Sequence, residues 1–289
     1  MSYHTAQGRI SYAGFTTWHT ITGEGDKTPL LTLHGGPGAG SGYLRSLDPI
    51  CETGRKIIYY DQLGCGRSPA DSNPSRWTID FFVEELKAVV RELGLDNFHL
   101  FGQSWGGFLA IHYASHNPAG LKSLILANVP VDWSLWDAEG QRLAGEMPSP
   151  HREVLLEAIK NKSEDNPSYR KAWASFFQKH WVRQPGLPPM DDESVSEPGQ
   201  VMEGTVAFHT TGTLRDADAT NLLPLIKVPT LVINGEYDQC TDSMVEKMTA
   251  GLPNIVRVVK LKGSGHIPNV DAPEALNRAI GEFLAEIII

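Results

Sequence analysis

The sequence predicts an α/β fold, in which a mostly parallel, doubly wound sheet carries an inserted all-helical segment. Short apolar runs rich in β-branched residues alternate with helical stretches, which is typical of a parallel sheet covered on both faces. The alternation stops between residues 129 and 215 and then resumes. The chain has 289 residues, 41% of them hydrophobic, so it is long enough for one large core with an insertion.

Six apolar runs bounded by turn residues are the predicted parallel strands: LLTLH (30–34), KIIYYD (56–61), FHLFG (98–102), LKSLILAN (121–128), PTLVIN (229–234) and VRVVKL (256–261). Before them, RISYAGFTTWHTITG predicts an antiparallel hairpin at the sheet edge. After Thr78, a suitable N-cap, apolar residues recur at helical spacing until Gly94, which can end the helix. The segment GFLAIHYASHN and the tail from Pro273 to Ile287 are further predicted helices.

Residues 129–215 are predicted to form a helical cap, and residues 1–128 and 216–289 the core that carries it. The cap contains the helical segments PHREVLLEAIKNK and SYRKAWASFFQKHW, followed by the Pro-rich stretch QPGLPPMDDESVSEPG. Its aromatic residues are expected to form mostly the cap's own core, with one or two of them lining a pocket: Trp133, Trp136, Trp173, Phe176, Phe177 and Trp181.

Composition excludes several classes of function. A net charge of −9 argues against a nucleic-acid or anionic-membrane surface, and no apolar run approaches the ~18 residues of a membrane span. Cys51, Cys65 and Cys240 are odd in number and lack metal-type spacing, which favours reduced thiols over a disulfide framework or a zinc site. The start, MSYHTAQGRISYAG, lacks a signal-peptide apolar region. We therefore expect a cytoplasmic protein with a small-molecule partner.

The stretch HLFGQSWGGFLAIHYA, residues 99–114, places a serine between glycines at the end of a predicted strand. Gly102, Ser104 and Gly106 fit the pattern G-x-S-x-G, in which small neighbours permit a strained strand-to-helix turn that exposes the hydroxyl. The serine would lie at a helix N-terminus, where N–H groups and the helix dipole favour a developing negative charge. Ser104 is therefore the predicted nucleophile.

A serine hydroxyl needs a base, and that base needs an orienting acid. Of the ten histidines, His266 stands out because it follows the strand VRVVKL in the loop GSGH and precedes the last helix. Asp238 follows the preceding strand in PTLVINGEYDQC, with Glu236 as a near rival and Asp132, after LKSLILAN, as a weaker alternative acid. The order Ser104, Asp238, His266 is the chain order of the α/β-hydrolases.

Two backbone amides are predicted to bind the oxyanion of a tetrahedral intermediate. One is the N–H of Trp105, which follows the nucleophile, and the other is the N–H of Gly36 in the loop HGGPGAG. Glycines there let amides point inward without obstruction. A phosphate-binding loop is not favoured, because no Lys-Ser/Thr follows. His34 is expected to hold this loop rather than to take part in the chemistry.

The motifs HGGPG, DQLGCGRS, GQSWGG and GEYD together resemble the proline iminopeptidases of the α/β-hydrolase fold, over almost the whole chain. The segment MEGTVAFHTTGTLRDAD, residues 202–218, is similar to the subgroup that contains the tricorn-interacting aminopeptidase and bacterial L-amino-acid amidases. The resemblance implies hydrolysis of a small amide with release of an N-terminal residue or amino acid, without a metal or an organic cofactor.

That subgroup holds the substrate's free ammonium with two glutamates, one in N-G-x-x-E-F and the other in G-x-Y-D-E. The matching positions here are Ala207, in E-G-T-V-A-F, and Gln239, in GEYDQC, so both anions are absent. Losing two charged hydrogen bonds of about 1.5–3 kcal/mol each forfeits on the order of 10²–10⁴ in selection for a charged amine. Glu203, expected one helical turn before Ala207, is either a partial substitute or a solvated helix residue.

The sequence thus predicts a serine hydrolase that cleaves a small, fairly apolar amide or ester through an acyl-enzyme, and that accepts substrates without a free α-amine. One alternative is a genuine N-terminal aminopeptidase or amino-acid amidase. A second is a lactonase or a non-hydrolytic small-molecule enzyme that uses the same site. A third, from another class, is a ligand receptor derived from a hydrolase. The complete set of catalytic residues argues against this third alternative.

Overall fold

Eight strands form one sheet in a computed structural model that describes residues 3–69, 73–185 and 196–287. They are β1 (Thr5–Tyr12), β2 (Phe15–Thr22), β3 (Lys27–Leu33), β4 (Arg55–Tyr60), β5 (Phe98–Gln103), β6 (Leu121–Ala127), β7 (Thr230–Gly235) and β8 (Ile255–Leu261). Their spatial order is β1-β2-β4-β3-β5-β6-β7-β8. The β1–β2 hairpin lies at one edge, β2 pairs antiparallel with β4, and the remaining pairs are parallel. The predicted fold class is therefore confirmed.

The central strands are buried because helices cover both faces of the sheet. On one face the core includes α1 (Ile79–Glu92), α2 (Trp105–Ser115) and α7 (Asp242–Gly251), and on the other α9 (Pro273–Glu286) packs with a run of 3-10 turns over Gly42–Thr53. Thr78 caps α1 as predicted, since its Oγ1 accepts a hydrogen bond from Phe81 N at 3.3 Å. The strand β8 departs from continuous burial, with Val258 48% exposed, because β8 is the last strand of the sheet.

Between β6 and β7 the described residues form helices and add no strand to the sheet. The helices are α3 (Trp133–Gly145), α4 (His151–Asn161), α5 (Tyr169–His180) and α6 (Glu197–Met202). A short helix α8 (Pro268–Asp271) follows β8. Residues 186–195 of the Pro-rich stretch lie outside the described residues, and the predicted cap boundaries at 129 and 215 stay a prediction.

The aromatic residues of this helical segment do not share one core. Trp173 and Phe176 pack in a cluster within the cap, as expected. Trp133 and Trp136, by contrast, belong to the main core beneath the cap, where Trp133 meets Phe108 of α2 edge-on at 6.1 Å. The prediction that most of the aromatic residues form the cap's own core was wrong for Trp133 and Trp136, because α3 packs these two indoles into the main core.

Candidate active site

Ser104 occupies a strained turn between β5 and α2. Its φ of 55° and ψ of −124° lie outside the regions that side chains ordinarily adopt. A Cβ on Gly102 would come within 2.3 Å of Gly106 O, and a Cβ on Gly106 within 2.3 Å of Leu33 O. The two glycines of the motif are therefore required by close packing of backbone on backbone.

Ser104, His266 and Asp238, which we call the triad, form one hydrogen-bonded chain. The Ser104 Oγ to His266 Nε2 distance is 2.8 Å, and the His266 Nδ1 to Asp238 Oδ1 distance is 2.7 Å. Because a carboxylate can only accept, Nδ1 carries the ring proton and Nε2 is free to accept from the serine hydroxyl. The structure thus brings together the residues that the sequence placed after β5, β7 and β8.

Two further donors hold the Asp238 carboxylate. Cys240 N donates to Oδ1 at 2.9 Å, and Asn128 Nδ2 donates to Oδ2 at 2.6 Å. The alternative acids lie elsewhere and are excluded by their contacts. Asp132 caps the N-terminus of α3 and pairs with Lys247, while Glu236 accepts a hydrogen bond from Gly263 N at 2.8 Å.

The residues predicted to bind an oxyanion lie beside the nucleophile. A Cβ on Gly35, the neighbour of Gly36, would come within 3.2 Å of Ser104 Cβ, so the loop touches the serine. Gly36 has a φ of 111°, and a Cβ there would lie 2.3 Å from Gly38 N. Among the described residues, neither Gly36 N–H nor Trp105 N–H has a hydrogen-bond partner. Both amides are therefore available as donors.

A chain of buried polar groups, which the sequence did not predict, ties this loop to His266. Gly35 N donates to Tyr43 Oη at 2.7 Å, and Tyr43 Oη donates to Gln103 Oε1 at 2.5 Å. Gln103 Nε2 donates in turn to the His266 carbonyl at 2.9 Å. Burial raises the pKa of the Tyr43 hydroxyl, which keeps it a donor. The loop and the histidine are thus held in one fixed arrangement.

His34 and Gln62, of the motif DQLGCGRS, hold the loop HGGPGAG in place by hydrogen bonds. His34 Nδ1 donates to Gly35 O at 2.8 Å, and its Nε2 accepts from Gln62 N at 3.0 Å. Gln62 Oε1 accepts from Trp105 Nε1 at 2.8 Å. Burial lowers the pKa of His34, so this ring stays neutral. These contacts support the structural role expected for His34.

The cap covers the triad with two indole rings. The ring centroids of Trp136 and Trp181 lie 5.0 and 4.9 Å from the His266 ring, tilted by 47° and 54°. The end of α5 is also fixed to this loop, because His266 N donates to the His180 carbonyl at 2.9 Å and Ile267 N to the Trp181 carbonyl at 3.0 Å. His266 is consequently only 2% exposed.

The positions that lack the relatives' glutamates differ in their surroundings. Ala207 is partly buried against the cap cluster, and its N–H donates to Glu164 Oε1 at 2.9 Å. Gln239 is buried, and both ends of its amide are hydrogen-bonded, to the indole of Trp181 and to the backbone of Trp136. Neither side chain brings a negative charge to the cap.

Glu203 is not a solvated helix residue, and it does not precede Ala207 by one helical turn. The helix α6 ends at Met202, and Gly204, with a φ of 108°, turns the chain away. Glu203 is half-buried at the end of α6. Burial, and then the negative charge of Asp137, raise the pKa of Glu203 to about 7. No described residue hydrogen-bonds this carboxylate.

One group of described residues has the donor atoms of a metal site. Single ligand atoms of Asp238, Cys240 and His266 lie within 4.8 Å of one another. Two of these residues already share the triad hydrogen bond, and burial raises the pKa of the Cys240 thiol well above its ordinary value. A metal would need the thiolate and would break that hydrogen bond, so the group fits the triad better than a metal.

None of the helices in the described part of the chain is long and apolar enough to cross a membrane.

The sheet order and the Ser–His–Asp chain at its carboxyl edge define a serine hydrolase of the α/β-hydrolase class. The family described as the alpha/beta hydrolase fold matches residues 28–273. The chain is 35% identical to the proline iminopeptidase of Clostridioides difficile over 286 residues, covering 96% of this chain and 97% of that protein. It is 36% identical to the proline iminopeptidase of Lactobacillus delbrueckii subsp. lactis, covering 94% and 97%.

Solved structures agree with these relatives. The crystal structure of proline iminopeptidase from Mycobacterium smegmatis superposes with a TM-score of 0.90 at 31% identity, covering 97% of this chain and 98% of that one. The crystal structure of VinJ gives a TM-score of 0.91 at 32% identity, covering 98% and 99%. The chain belongs to the proline iminopeptidase family of α/β-hydrolases.

Proposed function

We propose that this hydrolase cleaves a small, fairly apolar amide or ester through an acyl intermediate on Ser104. Ser104 Oγ attacks the carbonyl carbon while His266 Nε2 takes the hydroxyl proton, and Asp238 stabilises the imidazolium that forms. Gly36 and Trp105 N–H groups bind the tetrahedral oxyanion. When the intermediate collapses, His266 returns the proton to the leaving amine or alcohol. A water activated by the same histidine then releases the acid and restores Ser104.

One observation carries this proposal: a serine at a φ of 55° whose Oγ lies 2.8 Å from an imidazole that is itself fixed by a carboxylate at 2.7 Å. A merely structural serine would not need the strain of this turn. A ligand receptor would need neither the free amides nor the oriented base.

The substrate is proposed to be small, apolar and without a free α-amine. The indoles of Trp136 and Trp181 cover the triad, which favours apolar groups near the reacting carbonyl. The Ala207 and Gln239 side chains offer no anion to an ammonium, and a cation desolvated against Gln239 would be poorly compensated. We propose a small molecule as the binding partner of the enzyme.

A second candidate, an aminopeptidase or amino-acid amidase, is favoured by Glu203. The half-buried Glu203 carboxylate has no hydrogen-bond partner among the described residues, and an ammonium would supply one. Because its pKa is raised to about 7, Glu203 is largely neutral below that pH and becomes an anion above it. Activity on free amines would therefore rise through about pH 7, relative to activity on N-acetyl substrates.

The test compares kcat/KM for prolyl and alanyl amides with kcat/KM for their N-acetyl forms, between pH 6 and 8. We expect the N-acetyl forms to be equal or better substrates, and Glu203→Gln to leave their kcat/KM within about twofold. If the free amines are favoured by about tenfold or more, roughly 1.4 kcal/mol, and Glu203→Gln removes that preference, the second candidate replaces the first. Glu197→Gln, on the adjoining helix α6, is the matched control.

We also propose a cytoplasmic location. Cys51, Cys65 and Cys240 are all buried and unpaired, which suits a reducing compartment. Cell fractionation with a tagged chain tests this, and recovery in the culture medium or the membrane fraction would contradict it.

A further inference from the structure

Gln239 connects three parts of the molecule with one side chain. It directly follows Asp238 and is 2% exposed. Its Oε1 accepts a hydrogen bond from Trp181 Nε1 at 3.1 Å, and its Nε2 donates to the Trp136 carbonyl at 3.2 Å. The loop that carries the triad acid is thereby joined both to α3 and to the residue that ends α5.

The two residues that Gln239 binds are the same two that enclose His266. Their indoles lie against the imidazole from two sides, and the Trp136 and Trp181 centroids are 5.8 Å apart. Aromatic faces stabilise a neighbouring cation, and they also keep water from the ring. Since His266 becomes an imidazolium while the tetrahedral intermediate forms, the position of these indoles bears on the chemical step itself.

We propose that Gln239 is a positioning residue, a latch that holds Trp136 and Trp181 against the His266 imidazole. The inference rests on the proposed role of His266 as the base. The latch requires an amide, because one end of the side chain must accept from an indole N–H while the other donates to a carbonyl. A glutamate at this position would turn an oxygen towards the Trp136 carbonyl and bury a charge.

Helix α3 leaves room for this amide at Gly140. A Cβ at Gly140 would lie 2.5 Å from Gln239 Nε2 and 2.9 Å from Phe208 Cδ1. A glycine in a helix interior is unfavourable relative to alanine. Its presence in the middle of α3 is explained by the space that the Gln239 amide and the Phe208 ring occupy. Gly140→Ala therefore displaces the amide without changing residue 239, while it also crowds the Phe208 ring and improves helix propensity.

The first experiment compares Gln239→Met, which keeps the length and removes both hydrogen bonds, with Gly140→Ala. Two neutral hydrogen bonds correspond to about a 5- to 150-fold effect, so we expect kcat on a simple ester to fall in that range with KM changed less than about threefold. The emission of the tryptophans should shift, because Trp181 Nε1 loses its acceptor. Gln141→Met is the matched control, since Gln141 on the same helix donates to the Phe208 carbonyl at 3.0 Å and does not touch the triad.

A double-variant cycle with Trp181→Phe tests whether the two residues act together. Phenylalanine keeps a ring beside His266 but cannot donate to Gln239, so the double variant should be little worse than the worse single variant. Multiplied losses, an unchanged kcat in both Gln239→Met and Gly140→Ala, or an effect on KM alone would overturn the latch. Labelling of the parent by a fluorophosphonate separates this failure from failure of the proposed function, which predicts labelling at Ser104 whatever Gln239 does.

Discussion

Replacing Asn128 with glycine should reduce activity by removing a buried donor behind the triad. Asn128 Nδ2 lies 2.6 Å from Asp238 Oδ2, and Asn128 is completely buried. A hydrogen bond to a charged group contributes about 1.5–3 kcal/mol, which corresponds to roughly 10- to 150-fold. Without it the carboxylate keeps partners only on Oδ1, so its rotation is less restricted, and the Gly265 carbonyl beside His266 loses the same donor at 3.2 Å. We expect kcat/KM to fall within that range.

Glycine is the right replacement because Asn128 has a φ of 55°. Alanine at this backbone conformation would add strain of about 1–2 kcal/mol and would mix a backbone effect with the lost hydrogen bond. Asn117 provides a matched control, since its φ is 50° and its amide donates to the carbonyls of Ser115 and Leu225, beyond the end of α2 that lies opposite Ser104. Asn117→Gly should leave kcat/KM within about twofold.

The assay measures kcat/KM on one ester and the melting temperature of both variants. If Asn128→Gly stays folded and retains more than half of the parent activity, the Cys240 N–H alone must hold the carboxylate. The Asn128 donor would then not be needed to hold Asp238. An equal loss in Asn117→Gly would also refute it, because the effect would then come from backbone freedom and not from the donor.

Three further predictions follow from the site and the core. Ser104→Ala should lower kcat by about 10⁴–10⁶ and abolish fluorophosphonate labelling without unfolding the chain, and near-normal turnover would refute its role. Gly36→Ala should lower kcat by about 10²–10³, since its Cβ would meet Gly38 N and move the oxyanion amide, whereas Gly14→Ala, at a similar φ of 87° in open space, should not. Burial lowers the pKa of His112 to about 4, so the unfolded chain takes up a proton below about pH 6.5 that the folded chain does not. The free energy of unfolding therefore decreases as pH falls from about 6.5 to 4. His112→Phe should reduce this loss by up to about 2 kcal/mol at pH 5, measured by urea titration at pH 7.5 and 5. Equal acid sensitivity of the variant and the parent would contradict this.

The sequence predicted those parts of the fold and the site that depend on neighbouring residues in the chain, such as the strands and the turn at Ser104. The apolar runs of the parallel strands are continuous because helices bury both faces, and each predicted run corresponds to an observed strand within a few residues. The elbow at Ser104 was predictable because backbone contacts leave no room for a Cβ on either flanking glycine. The positions of Asp238 and His266 followed from the rule that parallel strands end at one edge of the sheet.

Residues that act through distant contacts were not predictable. Tyr43 and Gln103 are ordinary in their own segments, and only folding brings Gln103 to the carbonyl of a residue 163 positions away. Glu85 belongs to the amphipathic helix α1, next to the charged residue Glu84. It is in fact buried, where it accepts hydrogen bonds from Thr17 Oγ1 and Leu63 N at 2.8 Å each and has its pKa raised to about 7 by desolvation. No periodicity distinguishes such a residue from its exposed neighbours.

Gln239 stands where the resembled subgroup has glutamate, and the effect of this difference can be interpreted only from the structure. The sequence presents it as a lost carboxylate, and hence as a loss of amine recognition. In the folded chain its amide nitrogen is bonded to the Trp136 carbonyl, a contact that no carboxylate can make. Restoring glutamate at this position would therefore remove a donor from the covering of His266 at the same time as it added a charge next to Asp238. Recognition of an ammonium and closure of the cap over the histidine are thus alternative uses of one position. Under the proposed latch this chain uses the position for the second, and amine binding would then have to come from a carboxylate outside the latch, such as Glu203.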